Sequence, residues 1–156
     1  MKIALLFVGK TESGYLPAAI ATYVERLARY AAVAVKIIPE PKNAKQLSEP
    51  EQKKREGELI LSAAGEGELL LLDERGQEFS SEEFAVFLGK KLHGSAKQLT
   101  FVAGGAYGFS EEVYRRASGK VALSRMTFSH QMVRLFFVEQ LYRAFTIMKG
   151  EPYHHR

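Results

Sequence analysis

The chain has 156 residues, of which 46% are hydrophobic and 11% aromatic, enough to predict one domain over residues 1–156 with a packed core. It has no cysteine, which excludes a disulfide framework, a Cys-based zinc site and a thiol nucleophile. The net charge of +4 tilts the protein toward polyanionic partners without establishing one. No apolar run reaches the length of a membrane span. The short apolar start closed by Lys10 reads as a first strand and not a signal peptide. A cytoplasmic protein with no membrane partner is expected.

Residues 3–8 (Ile-Ala-Leu-Leu-Phe-Val) are a continuous apolar run closed by Gly9, the mark of a strand buried on both faces. Leu16, Ile20, Val24 and Leu27 then recur at helical spacing across residues 15–30, with Pro17 in the first turn, where proline is tolerated. Val33, Val35 and Ile37 alternate as a second strand, stopped by Pro39 and Pro41. Ser48 and Glu51 have capping-box spacing at the head of a helix that runs to Ala64. The first half of that helix is charged or polar, with Lys53, Lys54 and Arg55 together. It reads as a solvated face, with a nucleic-acid surface as the alternative.

Residues 69–72 are a third buried strand, ending in Asp73-Glu74-Arg75-Gly76. An acid at a strand end either binds a ribose or serves a turn. Ser80 and Glu83 form a second capping box, opening a helix through Phe84, Phe87, Leu88 and Leu92 to Gly94. Residues 99–103 are a fourth strand, followed by Gly104-Gly105-Ala106-Tyr107-Gly108 and a helix capped by Ser110 that ends near Gly119. This glycine spacing is not the dinucleotide fingerprint. Residues 120–123 are a fifth strand. Strands alternating with helices predict an α/β fold with a mainly parallel sheet.

Residues 123–134 (Leu-Ser-Arg-Met-Thr-Phe-Ser-His-Gln-Met-Val-Arg) join that strand to the most apolar helix of the chain, taken to start at Ser129. A strand, a loop and a helix N-terminus together mark where open α/β folds bind ligands. The loop lacks glycine, so it is no ordinary phosphate cradle, and Met126 and Phe128 suit an apolar or aromatic ligand such as an adenine. The last helix, running to Lys149, carries three apolar stripes: Val133, Phe137, Leu141, Ala144 and Met148; Met132, Phe136 and Ile147; Leu135 and Tyr142. A helix apolar nearly all round must be covered nearly all round, which in so small a chain points to a second copy. Its polar sector holds Glu139 and Arg143, spaced as an ion pair or as a ligand contact. Gly150 suits a C-cap, and Tyr153-His154-His155-Arg156 follows, either a frayed end or a group fit for stacking, phosphate contact and proton handling.

Three segments carry a resemblance: residues 101–110 (Phe-Val-Ala-Gly-Gly-Ala-Tyr-Gly-Phe-Ser), residues 122–134, and residues 139–156 (Glu-Gln-Leu-Tyr-Arg-Ala-Phe-Thr-Ile-Met-Lys-Gly-Glu-Pro-Tyr-His-His-Arg). Together with the start of the chain and the segment Leu-Leu-Leu-Leu-Asp-Glu-Arg-Gly, the sequence resembles over its whole length the ribosomal large-subunit pseudouridine N3-methyltransferases of the SPOUT class, the RlmH family. The resemblance implies a parallel sheet with helices on both faces and a C-terminal deep trefoil knot, which no pattern or propensity could predict. It also implies S-adenosylmethionine as cofactor, an obligate homodimer packed through the last helix, and the ribosome with its 23S RNA as partner. By motif position the cofactor contacts fall on Leu72, Gly104, Leu123, Ser124, Arg125, Met126, Thr127 and Phe128, and the substrate side on Arg143, Tyr153 and His154. Family tails have Tyr-His and then one basic residue or a basic-acidic pair, whereas this tail has His154-His155-Arg156.

The implied reaction is methyl transfer from a sulfonium to N3 of a pseudouridine in the helix 69 loop, on assembled ribosomes, with no metal and no covalent enzyme intermediate. N3 must lose its proton, so the site needs a cation to favour the imide anion and a group to take the proton. Arg143 fits the first role. His154, on a mobile tail, fits the second ahead of His130, which is expected to pack the loop. A helix packed across a two-fold axis would let one subunit's tail complete its partner's pocket. The rival readings are a tRNA-modifying SPOUT enzyme, a non-catalytic RNA-binding dimer, and a phosphate-handling α/β enzyme, for which no phosphate loop is found.

Overall fold

A computed structural model of the chain describes residues 1–12 and 14–155, so Arg156 lies outside the described residues. Five strands, β1 (Lys2–Val8), β2 (Ala32–Ile38), β3 (Glu68–Glu78), β4 (Gln98–Ala103) and β5 (Gly119–Ala122), form one sheet in the order β2-β1-β4-β3-β5. Every pairing is parallel. The five α-helices are α1 (Tyr15–Leu27), α2 (Glu49–Ala64), α3 (Ser81–Leu92), α4 (Glu111–Arg116) and α5 (Met132–Met148). Side-chain alternation sorts the strands' apolar residues onto two faces. Ile3, Leu5, Phe7, Leu99 and Phe101 pack under α1, α3 and α5, while Leu6, Val8, Leu69, Leu71 and Val102 pack under α2 and α4. Such two-sided burial is why residues 3–8 of β1 and 69–72 of β3 read as unbroken apolar runs. Among the described residues no helix is long and apolar enough to cross a membrane.

Three of the serines expected to open helices, Ser48, Ser80 and Ser110, do so. Ser80 and Glu83 close a reciprocal capping box at 3.1 and 2.8 Å, and Ser48 and Ser110 accept from Glu51 N and Val113 N. The charged half of α2 is not wholly solvated, because Glu56 is buried. Gly57 lets α2 meet α4 at that level: a Cβ there would stand 2.4 Å from Ser110 Oγ.

Several boundaries differ from the sequence reading, three of them around the sheet's C-terminal edge. α4 stops at Arg116, because Ala117 turns extended to lead into β5. α5 starts at Met132, since Ser129 uses its hydroxyl to accept from Gln131 N and Met132 N and so makes a turn before the helix. β3 does not end at Asp73. Leu72 and Gln77 both register with Val121, so residues 73–76 loop out and the strand resumes beside β5. Gly76 allows the return, because a Cβ there would lie 2.6 Å from the Lys120 carbonyl carbon.

α5 carries a residue that its apolar stripes conceal. Arg134 is fully buried and donates through Nη2 to Val8 O (2.6 Å), and through Nη1 to Gly9 O (2.9 Å) and Thr11 Oγ1 (3.0 Å). Its guanidinium lies 5.0 Å from the Phe7 ring centroid. Burial pulls its pKa below the ordinary arginine value, with Glu12 opposing. The first turn of α5 is thereby pinned to the C-terminal end of β1. Arg134→Met should cost about 3–5 kcal/mol in urea unfolding, since it strands buried acceptors as well as removing a cation. Arg134→Lys should recover only part of this, as one ammonium cannot reproduce the planar fork. A loss below about 1 kcal/mol for the Met variant would remove Arg134 as an anchor.

Candidate functional site

All strands point the same way, so the ends of β3, β4 and β5 open on one side of the sheet. There a cavity of about 560 Å³ lies among Leu72, the Gly104–Gly108 turn, the loop after β5, and Val133 of α5. Of the residues expected to contact the cofactor, Leu72, Gly104, Leu123, Ser124, Met126, Thr127 and Phe128 line it. Arg125 does not: its side chain is 86% exposed and faces Glu78 at 3.5 Å, because the loop turns outward there.

The loop is ordered by its own hydroxyls. Ser124 Oγ accepts from Met126 N at 3.0 Å, and Thr127 donates to Glu74 on the β3 bulge, strapping the loop across the cavity. Gln131 ties its far end to the segment after β1, accepting from Glu12 N at 2.8 Å and donating to Lys10 O at 3.3 Å. His130 is exposed and precedes the helix; it lines the cavity instead of packing the loop.

Two carboxylates support the cavity. Both Asp73 oxygens accept hydrogen bonds, one from Tyr114 OH and the other from Arg75 N at 2.8 Å. Burial pushes the Asp73 pKa up, but these bonds outweigh it and hold the carboxyl below its usual range. The acid at the strand end thus serves the bulge. Glu56 lies beneath Gly105, where a Cβ would come within 2.7 Å of its Oε1. Burial raises its pKa, opposed by a 2.9 Å bond from Gln52. Sequence reasoning missed Glu56; the only available signal was the i, i+4 spacing to Gln52. At Gly104 a Cβ would meet the Phe109 ring at 2.9 Å, so valine there would displace core before it reached any ligand.

A second cavity, about 660 Å³, adjoins the first and shares Val121, Leu123 and Phe128 with it. Arg143, His154, Glu82 and Gln140 lie on its far side. In the described part of the tail, Pro152–His154 forms a 3-10 turn packed on α5 of its own chain. Arg143 donates to Glu139 Oε1 at 2.6 Å and to His154 Nδ1 at 3.0 Å, and His154 Nε2 lies 2.9 Å from Glu82 Oε1. The Glu139 bond raises the Arg143 pKa above its usual value, against a burial effect, and keeps the cation charged.

Tyr153 faces inward. Its ring meets Tyr142 edge-on at 4.8 Å and lies 4.8 Å from the Arg143 guanidinium, and its hydroxyl donates to Glu139 at 2.9 Å. Burial foremost, then its hydroxyl contacts with Tyr23 and Glu139, hold its pKa far above the usual phenol value. In this arrangement Tyr153 anchors the tail, with the Arg143 guanidinium over its ring.

Comparison with known proteins agrees with this geometry. Residues 1–154 match the family described as "Predicted SPOUT methyltransferase". Relatives named ribosomal RNA large subunit methyltransferase H share 56% identity over 99% of both chains (Parabacteroides distasonis) and 55% over 100% of both (Christiangramia forsetii). A solved structure described as a probable methylase family protein from Haemophilus influenzae Rd KW20 superposes with a TM-score of 0.58 at 12% identity, over 97% of this chain and 69% of that one, a likeness of fold alone. With the parallel sheet, the strapped loop at its C-terminal edge and matches over the full length, the chain belongs to the SPOUT methyltransferase family.

Proposed function

We propose that this chain is an S-adenosylmethionine-dependent methyltransferase that acts as a homodimer in the cytoplasm. Its substrate is N3 of a pseudouridine in the helix 69 loop of 23S ribosomal RNA, on assembled ribosomes. The observation that carries the reading is the pair of cavities sharing Leu123 and Phe128, one of cofactor size, the other holding a charged guanidinium beside an imidazole. The name of the relatives, ribosomal RNA large subunit methyltransferase H, supports the RNA class.

The first cavity suits the cofactor. Its volume falls within the range of about 300–1,000 Å³ common to small-molecule sites. Leu72, Leu123 and Met126 supply apolar wall, and Glu49, Asp73 and Glu74 supply acidic surroundings for a cationic ligand. Leu72, Gly104, Leu123, Ser124, Met126, Thr127 and Phe128 would hold S-adenosylmethionine, with Arg125 contributing main chain only. The bound cofactor supplies an electrophilic methyl on a sulfonium. The protein's own part is alignment and charge. Arg143, held cationic by Glu139, favours the imide anion left when N3 gives its proton to solvent water. His154 flanks the base position beside Arg143, and Phe128 lines both chambers.

The homodimer rests on an exposed apolar patch at the same place. Met126, Phe128 and Phe136 are 76%, 37% and 41% exposed, and the two phenylalanine rings pack at 5.1 Å. A second copy would cover them.

Three outcomes are expected. Ser124→Trp should fill the first cavity and weaken S-adenosylmethionine binding at least about tenfold by calorimetry, with Ser124→Ala nearly neutral; equal affinity in both would remove the site. Arg143→Ala, and deletion of residues 153–156, should leave cofactor affinity intact. Each should lower methylation of ribosomes from a strain lacking the modification by about 100-fold or more, read by mass mapping of the RNA. Wild-type protein that methylates tRNA and not ribosomes would overturn the substrate. Light scattering should give the mass of two chains at micromolar concentration, lost in Phe136→Glu; a wild-type mass of one chain would overturn the dimer.

A further inference from the structure

A ring of polar contacts closes around the second cavity and draws in a residue that the proposed catalysis does not use. Ser81 donates to Gln140 Oε1 (2.9 Å), and Gln140 donates to Glu139 Oε2 (3.2 Å). Arg143 joins Glu139 to His154, and His154 reaches Glu82, the residue after Ser81 in the first turn of α3. The chemistry of this ring determines where the imidazole proton sits. A guanidinium only donates, so the 3.0 Å contact from Arg143 requires a lone pair on His154 Nδ1. The proton of the neutral ring then sits on Nε2, and a carboxylate only accepts, so Nε2–H donates to Glu82 Oε1 at 2.9 Å.

Two consequences follow. The docked imidazole has no free lone pair, so it cannot take the N3 proton while Arg143 holds Nδ1. Its orientation also depends on both neighbours, one on α5 and one on α3. Removing the acceptor at Nε2 would leave the ring held by the Arg143 contact alone, which permits rotation about its Cβ–Cγ bond, and would release His154 from α3.

We propose that Glu82 is a positioning residue for this site: it fixes His154 as the Nε2-protonated neutral tautomer and docks the C-terminal tail over the second cavity. The inference rests on the reading that His154 faces the RNA base, but the tautomer can be measured without any substrate. The role needs an acceptor oxygen and not a titrating carboxylate, which separates positioning from proton transfer. Glu82→Gln keeps an acceptor, whereas Glu82→Ala removes it. Glu82 lies outside the Ser80–Glu83 capping box, so neither change should unfold α3, and circular dichroism verifies this.

The test uses the full-length protein labelled with ¹⁵N-histidine. Long-range ¹H–¹⁵N correlation should place the His154 proton on Nε2 in the wild type and in Glu82→Gln, and should report a mixture of tautomers in Glu82→Ala. With ribosomes lacking the modification and saturating S-adenosylmethionine, Glu82→Ala should lower kcat roughly 10–100-fold, the usual effect of losing a group that orients a functional histidine. Its S-adenosylmethionine Kd should not change, and Glu82→Gln should recover most of kcat. An Nδ1–H tautomer in the wild type overturns the proposal. So does full activity in Glu82→Ala, and so does Glu82→Gln as inactive as Glu82→Ala, which would make the carboxylate itself the proton acceptor. A wild-type protein that fails to methylate ribosomes overturns the substrate reading instead and leaves the tautomer result standing.

Discussion

The contact on which the rest of the architecture depends is the buried guanidinium of Arg134 on the main-chain ends of β1. A cation in a dry interior is costly unless its donors are satisfied, and here carbonyl oxygens at a strand end take both Nη groups without a counter-charge, while Nε has no hydrogen-bond partner among the described residues. That requirement makes the contact specific. An apolar helix with several equivalent stripes could slide or rotate on the sheet, whereas a forked cation seated on two successive carbonyls has one position. Both functional segments hang from the helix so placed: the loop after β5 leads into its first turn, and the tail folds back on its last.

The cavity at the sheet edge is built by the looped-out segment of β3 as much as by the glycine turn. An uninterrupted β3 would carry Asp73 and Glu74 on along the ladder with β5. The extra residues lift Glu74 to meet Thr127 and turn Asp73 toward Tyr114. The loop after β5 is therefore held from two sides, by an acid from β3 and by Gln131 bound to the segment after β1. Order in such a loop matters because a preformed site spares binding the entropy of arranging it.

The polar ring around Arg143 works by the same logic on a more exposed scale. Glu139 and Arg143 are about one-fifth to one-quarter exposed, so as an isolated i, i+4 pair they would contribute little. Their value lies in connection: each member fixes the next, so rotamers at the tail become a property of the whole ring. Tyr153 is the covalent neighbour that seats the segment, its ring against Tyr142 and its hydroxyl on Glu139.

Much of this was legible in the sequence. Unbroken apolar runs such as residues 3–8 and 69–72 marked parallel strands, because burial on both faces leaves no polar alternation. Ser48, Ser80 and Ser110 marked helix starts, because capping is a local bond between neighbours in the chain. The glycine turn and residues 123–134 marked the family and the place of the cavity. Other features were decided only by the tertiary structure, and each has the same cause: its energy comes from partners remote in sequence. Arg134 looked like one more polar break in an apolar helix until the β1 carbonyls met it from 125 and 126 residues away. Glu56 read as part of a solvated face until Gly57 brought α2 against α4 and the glycine turn covered the carboxylate. Arg125 sits within the motif, yet the turn made by its neighbours points it at Glu78 and away from the cavity. The tail's neighbours could not be read from its sequence: Tyr23, Glu82 and Glu139, on three different helices, contact Tyr153 and His154. Local bonds can be read from local sequence; a contact between distant segments exists only once the fold has brought them together.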